Sequence, residues 1–141
     1  MFDLWSHEYS PRGEAFLRGA QAAAHGIHNA SARLYITKGS SALTVPAFAV
    51  QHPGFKCDLL SVDGGHTYDL AVMDIANMAQ LANREFNALL VDDTNCGLGY
   101  CVDAAFQEQQ RRGVVHRLAG YSENSNAEGV YARGITVAQF L

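Results

Sequence analysis

Three carboxylates and one imidazole stand where two short apolar runs end. Asp63 follows the run Asp58–Val62 and opens Asp63-Gly64-Gly65-His66, while Asp92 and Asp93 follow Ala88–Val91 and precede Thr94-Asn95. Both runs are nearly continuous in apolar residues, the pattern of strands covered on both faces. In open α/β sheets, ligands bind beyond the carboxyl ends of the strands, and neighbouring strands lie roughly 4.8 Å apart. Two successive strands therefore deliver Asp63, Asp92 and Asp93 to one rim, where they can converge on a cation. Hard oxygen donors with room left for water suit Mg²⁺, or a similar ion such as Mn²⁺ or Ca²⁺. An acid after a strand is also an ordinary helix N-cap, and any one of these aspartates alone reads that way. Two adjacent acids on one strand end, facing a third on the next, favour a ligand site. His66 stands three residues after Asp63 on the same rim, and Gly64-Gly65 lets the backbone come close to a ligand there.

Two further features are weaker. Gly39-Ser40-Ser41 follows the run Arg33–Thr37; a glycine and two hydroxyls at a strand–helix junction either bind a ligand or cap the helix. Asp3 closes the first apolar run, Phe2–Trp5, where dinucleotide folds place an acid on ribose hydroxyls.

The elements that must position these residues alternate. Strands are expected at Phe2–Trp5, Arg33–Thr37, Asp58–Val62, Ala88–Val91, Val114–Ala119 and Val130–Phe140, the last interrupted by Gly134. A helix opens at Ser10-Pro11, carries Phe16, Ala20, Ala23 and Ile27 on one stripe and stops near Gly26. Further helices are expected over Leu43–Val50, over Thr67–Ala82 with the stripe Tyr68, Val72, Ile75, Ala79 and Ala82, and over Gly99–Arg112. This alternation indicates an α/β fold, a mostly parallel sheet flanked by helices. No helix fits in the polar stretch Ser122–Gly129, so the last two strands are expected to be antiparallel neighbours at one edge.

The 141 residues fit a single domain, 1–141, by the prior of about 100–200 residues per domain. Hydrophobic residues make up 48% and charged residues only 17%, so the chain folds around a core rather than remaining disordered. The net charge of −4 and the scattered Lys and Arg give no footprint for a nucleic acid. No run reaches the length of a membrane span, and no signal peptide is visible at the N-terminus. Cys57, Cys96 and Cys101 are odd in number and lack CxxC spacing, which argues against a disulfide framework. A reducing, cytoplasmic compartment is the default expectation.

Taken together, three segments resemble class I S-adenosylmethionine-dependent methyltransferases, in particular the catechol O-methyltransferase type and the family called methyltransferase 24. Thr37-Lys-Gly-Ser-Ser-Ala-Leu-Thr-Val-Pro-Ala-Phe48 is similar to that group's third strand end and following helix. Cys57-Asp-Leu-Leu-Ser-Val-Asp-Gly-Gly-His-Thr-Tyr-Asp69 is similar to its fourth strand and turn and is the most specific of the three. Asn87-Ala-Leu-Leu-Val-Asp-Asp-Thr94 is similar to its fifth strand and acidic pair. The resemblance implies a Rossmann-like sheet, S-adenosylmethionine as cofactor, and a divalent cation at Asp63, Asp92 and Asp93. It also implies a small-molecule hydroxyl as acceptor. Gly39 and Ser40, with Ser41 beside them, match the adenine side of the donor site, and Asp3 matches the acid that holds the ribose. His66 falls where catechol-type members carry a lysine general base; an imidazole takes a proton at neutral pH without the large downward shift a lysine needs.

The sequence departs from this pattern at its start. The family's strand order is three-two-one-four-five-seven-six, and strand one carries the glycine-rich donor loop. Phe2–Trp5 matches strand two, so the resemblance reads the chain as N-terminally truncated, with sheet edges left open and room for a homodimer. Two alternatives stand beside the enzyme: an inactive methyltransferase-like binding domain, and a metal-dependent hydrolase built on the same three aspartates. The hydrolase is disfavoured by the lack of a phosphate loop of the GxxxxGK[ST] type.

Overall fold

The computed structural model describes residues 2–3, 10–28, 36–96, 101–124 and 132–141. The chain divides into two compact units, Met1–Thr44 and Val45–Leu141. The expectations over Leu4–Tyr9, Asn29–Tyr35, Gly97–Tyr100 and Ser125–Tyr131 lie outside the described residues, Trp5 and Tyr100 among them.

In the first unit, β1 (Phe2–Asp3) pairs in parallel with β2 (Thr37–Lys38), Asp3 opposite Lys38. Helix α1 spans Ser10–His28. It begins where Ser10-Pro11 places it, but it runs through Gly26 instead of stopping there, because glycine tolerates helical dihedrals as readily as left-handed ones. Its expected apolar stripe is not a buried face: Phe16 is 75% exposed, and Ala20 and Ala23 are exposed as well. Glu14 ties the helix locally, pairing with Arg18 one turn on and with Lys38 of β2 at 2.9 Å. Helix α2 (Ser41–Gln51) crosses the division between the units and buries Val45 and Phe48.

The second unit is built on a mixed four-stranded sheet in the order β3-β4-β6-β5, comprising β3 (Leu59–Val62), β4 (Ala88–Asp92), β5 (Val115–Asn124) and β6 (Ala132–Phe140). β3 and β4 run parallel, with Val62 opposite Val91; β6 is antiparallel to both β4 and β5. The last two strands are therefore antiparallel neighbours at one edge, as expected. The edge strand itself is β5, and the C-terminal strand is inserted beside β4. β5 also extends through Tyr121–Asn124, so Ser122–Asn124, expected in the polar loop Ser122–Gly129, are strand. Its register shifts between Arg117 and Ala119, an irregularity that blunts an exposed edge.

Helix α3 (Tyr68–Met78) continues as a short 3₁₀ turn, Ala79–Leu81, and helix α4 covers Asp103–Arg111. Fully buried Ile75, Leu89, Val91, Phe106 and Val115 form the centre of this unit, each contributing roughly 1.5–3 kcal/mol by leaving water. Two expectations are corrected. β3 is not covered on both faces: Leu60 and Val62 are buried, but Leu59 is 66% exposed and Ser61 is exposed too. The buried face of α3 is Ala71, Asp74 and Ile75, rotated from the stripe through Tyr68, which is 48% exposed. Buried side chains stitch the pieces together. Gln109 of α4 donates from Nε2 to the Val72 carbonyl at 2.9 Å. Asn87 accepts the Phe140 N–H at 2.8 Å and donates to the Phe140 and Asn83 carbonyls.

The cysteine expectation is also corrected. Cys96 and Cys101, five positions apart, form a disulfide, and Cys57 is the free thiol. Spacing alone missed it because it does not show that residue 102 lies against residue 93: the Val102 N–H donates to the Asp93 carbonyl at 2.9 Å. That contact brings the two Cα atoms to 5.9 Å, within the range a disulfide spans. No helix among the described residues is long and apolar enough to cross a membrane.

Candidate metal and base site

The parallel pairing of β3 with β4 sets the site. With Val62 opposite Val91, Asp63 and the Asp92-Asp93 pair leave the sheet side by side at the carboxyl ends. Asp63, His66 and Asp93 then converge, each offering one ligand atom within 4.8 Å of the others. His66 Nε2 lies 2.9 Å from Asp93 Oδ2; the imidazole is about half exposed and the Asp93 side chain is 18% exposed. Asp63 is exposed. One nitrogen and two carboxylate oxygens at this spacing are a donor set that suits a divalent cation, with open positions left for water or substrate. The same geometry also serves proton transfer. A carboxylate set against one ring nitrogen is the arrangement that orients a histidine base.

Asp92 does not join this cluster. It ends β4, and its Oδ1 accepts the Asp93 N–H at 2.9 Å, so its carboxylate shapes the turn. That turn is unusual in its backbone: Asp93 has φ +52° and Asn95 has φ +55°, a left-handed conformation that aspartate and asparagine adopt more readily than other side chains. The loop is anchored from three sides. The Thr94 N–H donates to the Gly134 carbonyl at 3.0 Å, and its buried hydroxyl bonds Thr136 Oγ1 at 2.8 Å. The Asn95 N–H donates to Asp103 Oδ1 at 2.8 Å, and Asn95 Oδ1 accepts from Arg117. Gly134 is required by this packing, because a Cβ there would collide with the Thr94 carbonyl oxygen.

Asp74 is the residue that sequence reasoning missed. It is 6% exposed on α3, and a Cβ on Gly64 would lie 2.7 Å from its Oδ2. Gly64 thus lets the turn bearing Asp63 and His66 settle onto a buried carboxylate. The signal was present in the sequence, an acid three residues after Ala71 and next to Ile75 on the inward face of the helix.

The donor-side residues lie in the first unit. Asp3 ends β1, and Gly39 follows Lys38, so these positions share one end of the β1–β2 ladder. Gly39 has φ +133°, a value that disfavours any side chain. The Ser40 carbonyl accepts the N–H groups of Leu43 and Thr44 and the Thr44 hydroxyl, so Ser40 starts α2 through its backbone. Ser41 is the first residue of α2. Tyr121, an aromatic candidate for an acceptor pocket, is 62% exposed, with its hydroxyl 3.3 Å from Glu123.

No protein-family model matches this chain, and no curated protein matches it in sequence.

Proposed function

We propose that the protein is a divalent-cation-assisted, S-adenosylmethionine-dependent O-methyltransferase of the Rossmann-like class, acting on a small-molecule hydroxyl in the cytoplasm. The observation that carries this reading is the convergence of Asp63, His66 and Asp93 at the ends of two parallel strands. The strand orders support it too. β3-β4-β6-β5 matches the four-five-seven-six half of the order that the resemblance implies, and β1-β2 matches its two-three half.

The residues divide the work by their chemistry. Asp63 and Asp93 would hold the cation, and Asp92 fixes the turn that aims Asp93. His66 takes the acceptor's proton, oriented by Asp93 against its Nε2. Asp3, Gly39, Ser40 and Ser41 are the donor-side residues. A divalent cation at this site supplies positive charge that lowers the acceptor hydroxyl's pKa, and S-adenosylmethionine supplies the methyl group.

One observation favours a second reading. Among the described residues the outer edge of β3 has no ladder partner, which fits a methyltransferase-like domain that binds rather than catalyses. Titration calorimetry with S-adenosylmethionine, with and without Mg²⁺, separates the readings. Micromolar donor binding strengthened by Mg²⁺ is the expected result. Metal binding without donor binding would move the site to hydrolase chemistry, and binding of neither would leave the non-catalytic domain.

A further inference from the structure

We propose that the Cys96–Cys101 disulfide is a reversible redox clasp that regulates the loop carrying Asp93. The inference rests on the metal and base site described above for its consequence, but on the loop's own bonds for its mechanism. Two hydrogen bonds join the two sides that the disulfide also joins: the Val102 N–H to the Asp93 carbonyl at 2.9 Å and the Asn95 N–H to the Asp103 side chain, at Oδ1, at 2.8 Å. The disulfide joins the same two sides, and Cys96 Sγ lies 3.7 Å from the Asp93 carbonyl oxygen. Both Asp93 and Asn95 are held in left-handed backbone, which costs even these residues some energy that the surrounding bonds offset. Without the covalent link, the two hydrogen bonds alone must close the segment against its chain entropy. The bonds that tie Thr94 to Gly134 and Thr136, and the Asn95 side chain to Ile135 and Arg117, run to partners outside the closed segment and stay in place. The device therefore acts on the bonds that Asp93 and Asn95 make to Val102 and Asp103.

The chemistry balances with ordinary cellular reagents. Two molecules of a low-molecular-weight thiol reduce the bond to two cysteine thiols and leave as one small disulfide; a small disulfide drives the reverse. Cys96 and Cys101 are both partly exposed, so such reagents can reach the sulfurs. In the cytoplasm that the proposed function assumes, disulfides are typically transient or redox-sensing.

The test uses the full chain equilibrated in glutathione mixtures, with thiol counting, amide hydrogen exchange and Mn²⁺ titration on the same samples. One free thiol per chain is expected in the oxidised form and three in the reduced form, interconverting without unfolding. Reduction should speed exchange at the Asn95 and Val102 amides by at least about tenfold while leaving the Thr94 amide as it was. Cys96→Ser/Cys101→Ser should reproduce the reduced pattern in either mixture. Mn²⁺ should bind the reduced form roughly tenfold more weakly, the size of effect expected when groups supporting a ligand are loosened. Equal exchange at Asn95 and Val102 in both states overturns the clasp. So does equal acceleration at Thr94, or a bond that glutathione reduces only after unfolding. Absence of Mn²⁺ binding in both states would instead sink the metal site, and the amide pattern would still decide the clasp.

Discussion

His66 Nε2 and Asp93 Oδ2 meet at 2.9 Å, although the two residues come from turns after different strands. Asp93 holds that position on a left-handed backbone. Side chain and backbone can therefore be tested apart. Asp93→Gly keeps the conformation and removes the carboxylate. Its thermal stability should stay within about 1 kcal/mol of the parent or rise slightly, while Mn²⁺ affinity measured by calorimetry falls by more than about tenfold. Unchanged metal affinity would remove Asp93 from the site.

Asp92 and Asp63 should separate in the same assay. Asp92 accepts its neighbour's N–H, and Asp92→Asn retains an oxygen able to do so. Asp63→Ala removes a converging ligand atom. Mn²⁺ titration should show a larger loss for Asp63→Ala than for Asp92→Asn, and methyl transfer, once an acceptor is found, should follow the same order. An equal loss would restore Asp92 as a direct ligand.

Gly134 carries the contact between β6 and the site loop. Gly134→Ala forces a methyl group into the Thr94 carbonyl, and urea unfolding should show a cost of about 1–3 kcal/mol or more. Thr94→Val removes the hydroxyl's bonds to Thr136 and to the Val91 carbonyl without introducing a clash, and its cost should be smaller, about 1 kcal/mol. The reverse ranking would mean that the loop is held by its side chain and not by close backbone approach.

Asn87 clasps the end of β6 through both its amide groups. Asn87→Ala leaves the Phe140 N–H and C=O without these partners in a buried position. The same unfolding measurement should lose about 1–3 kcal/mol.

Cys57 titrates above the ordinary thiol range, chiefly because burial disfavours the thiolate, with the Asp58 carboxylate adding to the shift. Alkylation with iodoacetamide should therefore have a higher pH midpoint in the folded protein than in urea. The linkage sign follows: the folded chain holds this proton longer, so its contribution to stability is present below the unfolded thiol's pKa. That contribution is lost as pH rises through the folded value. Cys57→Ser should flatten this alkaline slope.

Much of this molecule was legible in the residues themselves. The runs ending at Asp63 and Asp92-Asp93 declared two strands whose carboxyl ends share a rim, because periodicity and turn residues are local properties. The polar stretch after Ser122 announced the antiparallel end of the sheet, for no helix could form there. What the residues could not declare depends on the return path of the chain. The left-handed turn at Asp93 swings its carboxylate towards His66 and leaves Asp92 capping a backbone amide. The Cys96–Cys101 bond exists because Val102 comes back to Asp93. Asp74 matters only once Gly64 lies against it. Local pattern determined which residues could do chemistry; the register of β3 on β4 and the packing of β6 against Thr94 decided which of them meet, since those distances are set by contacts far apart in the chain.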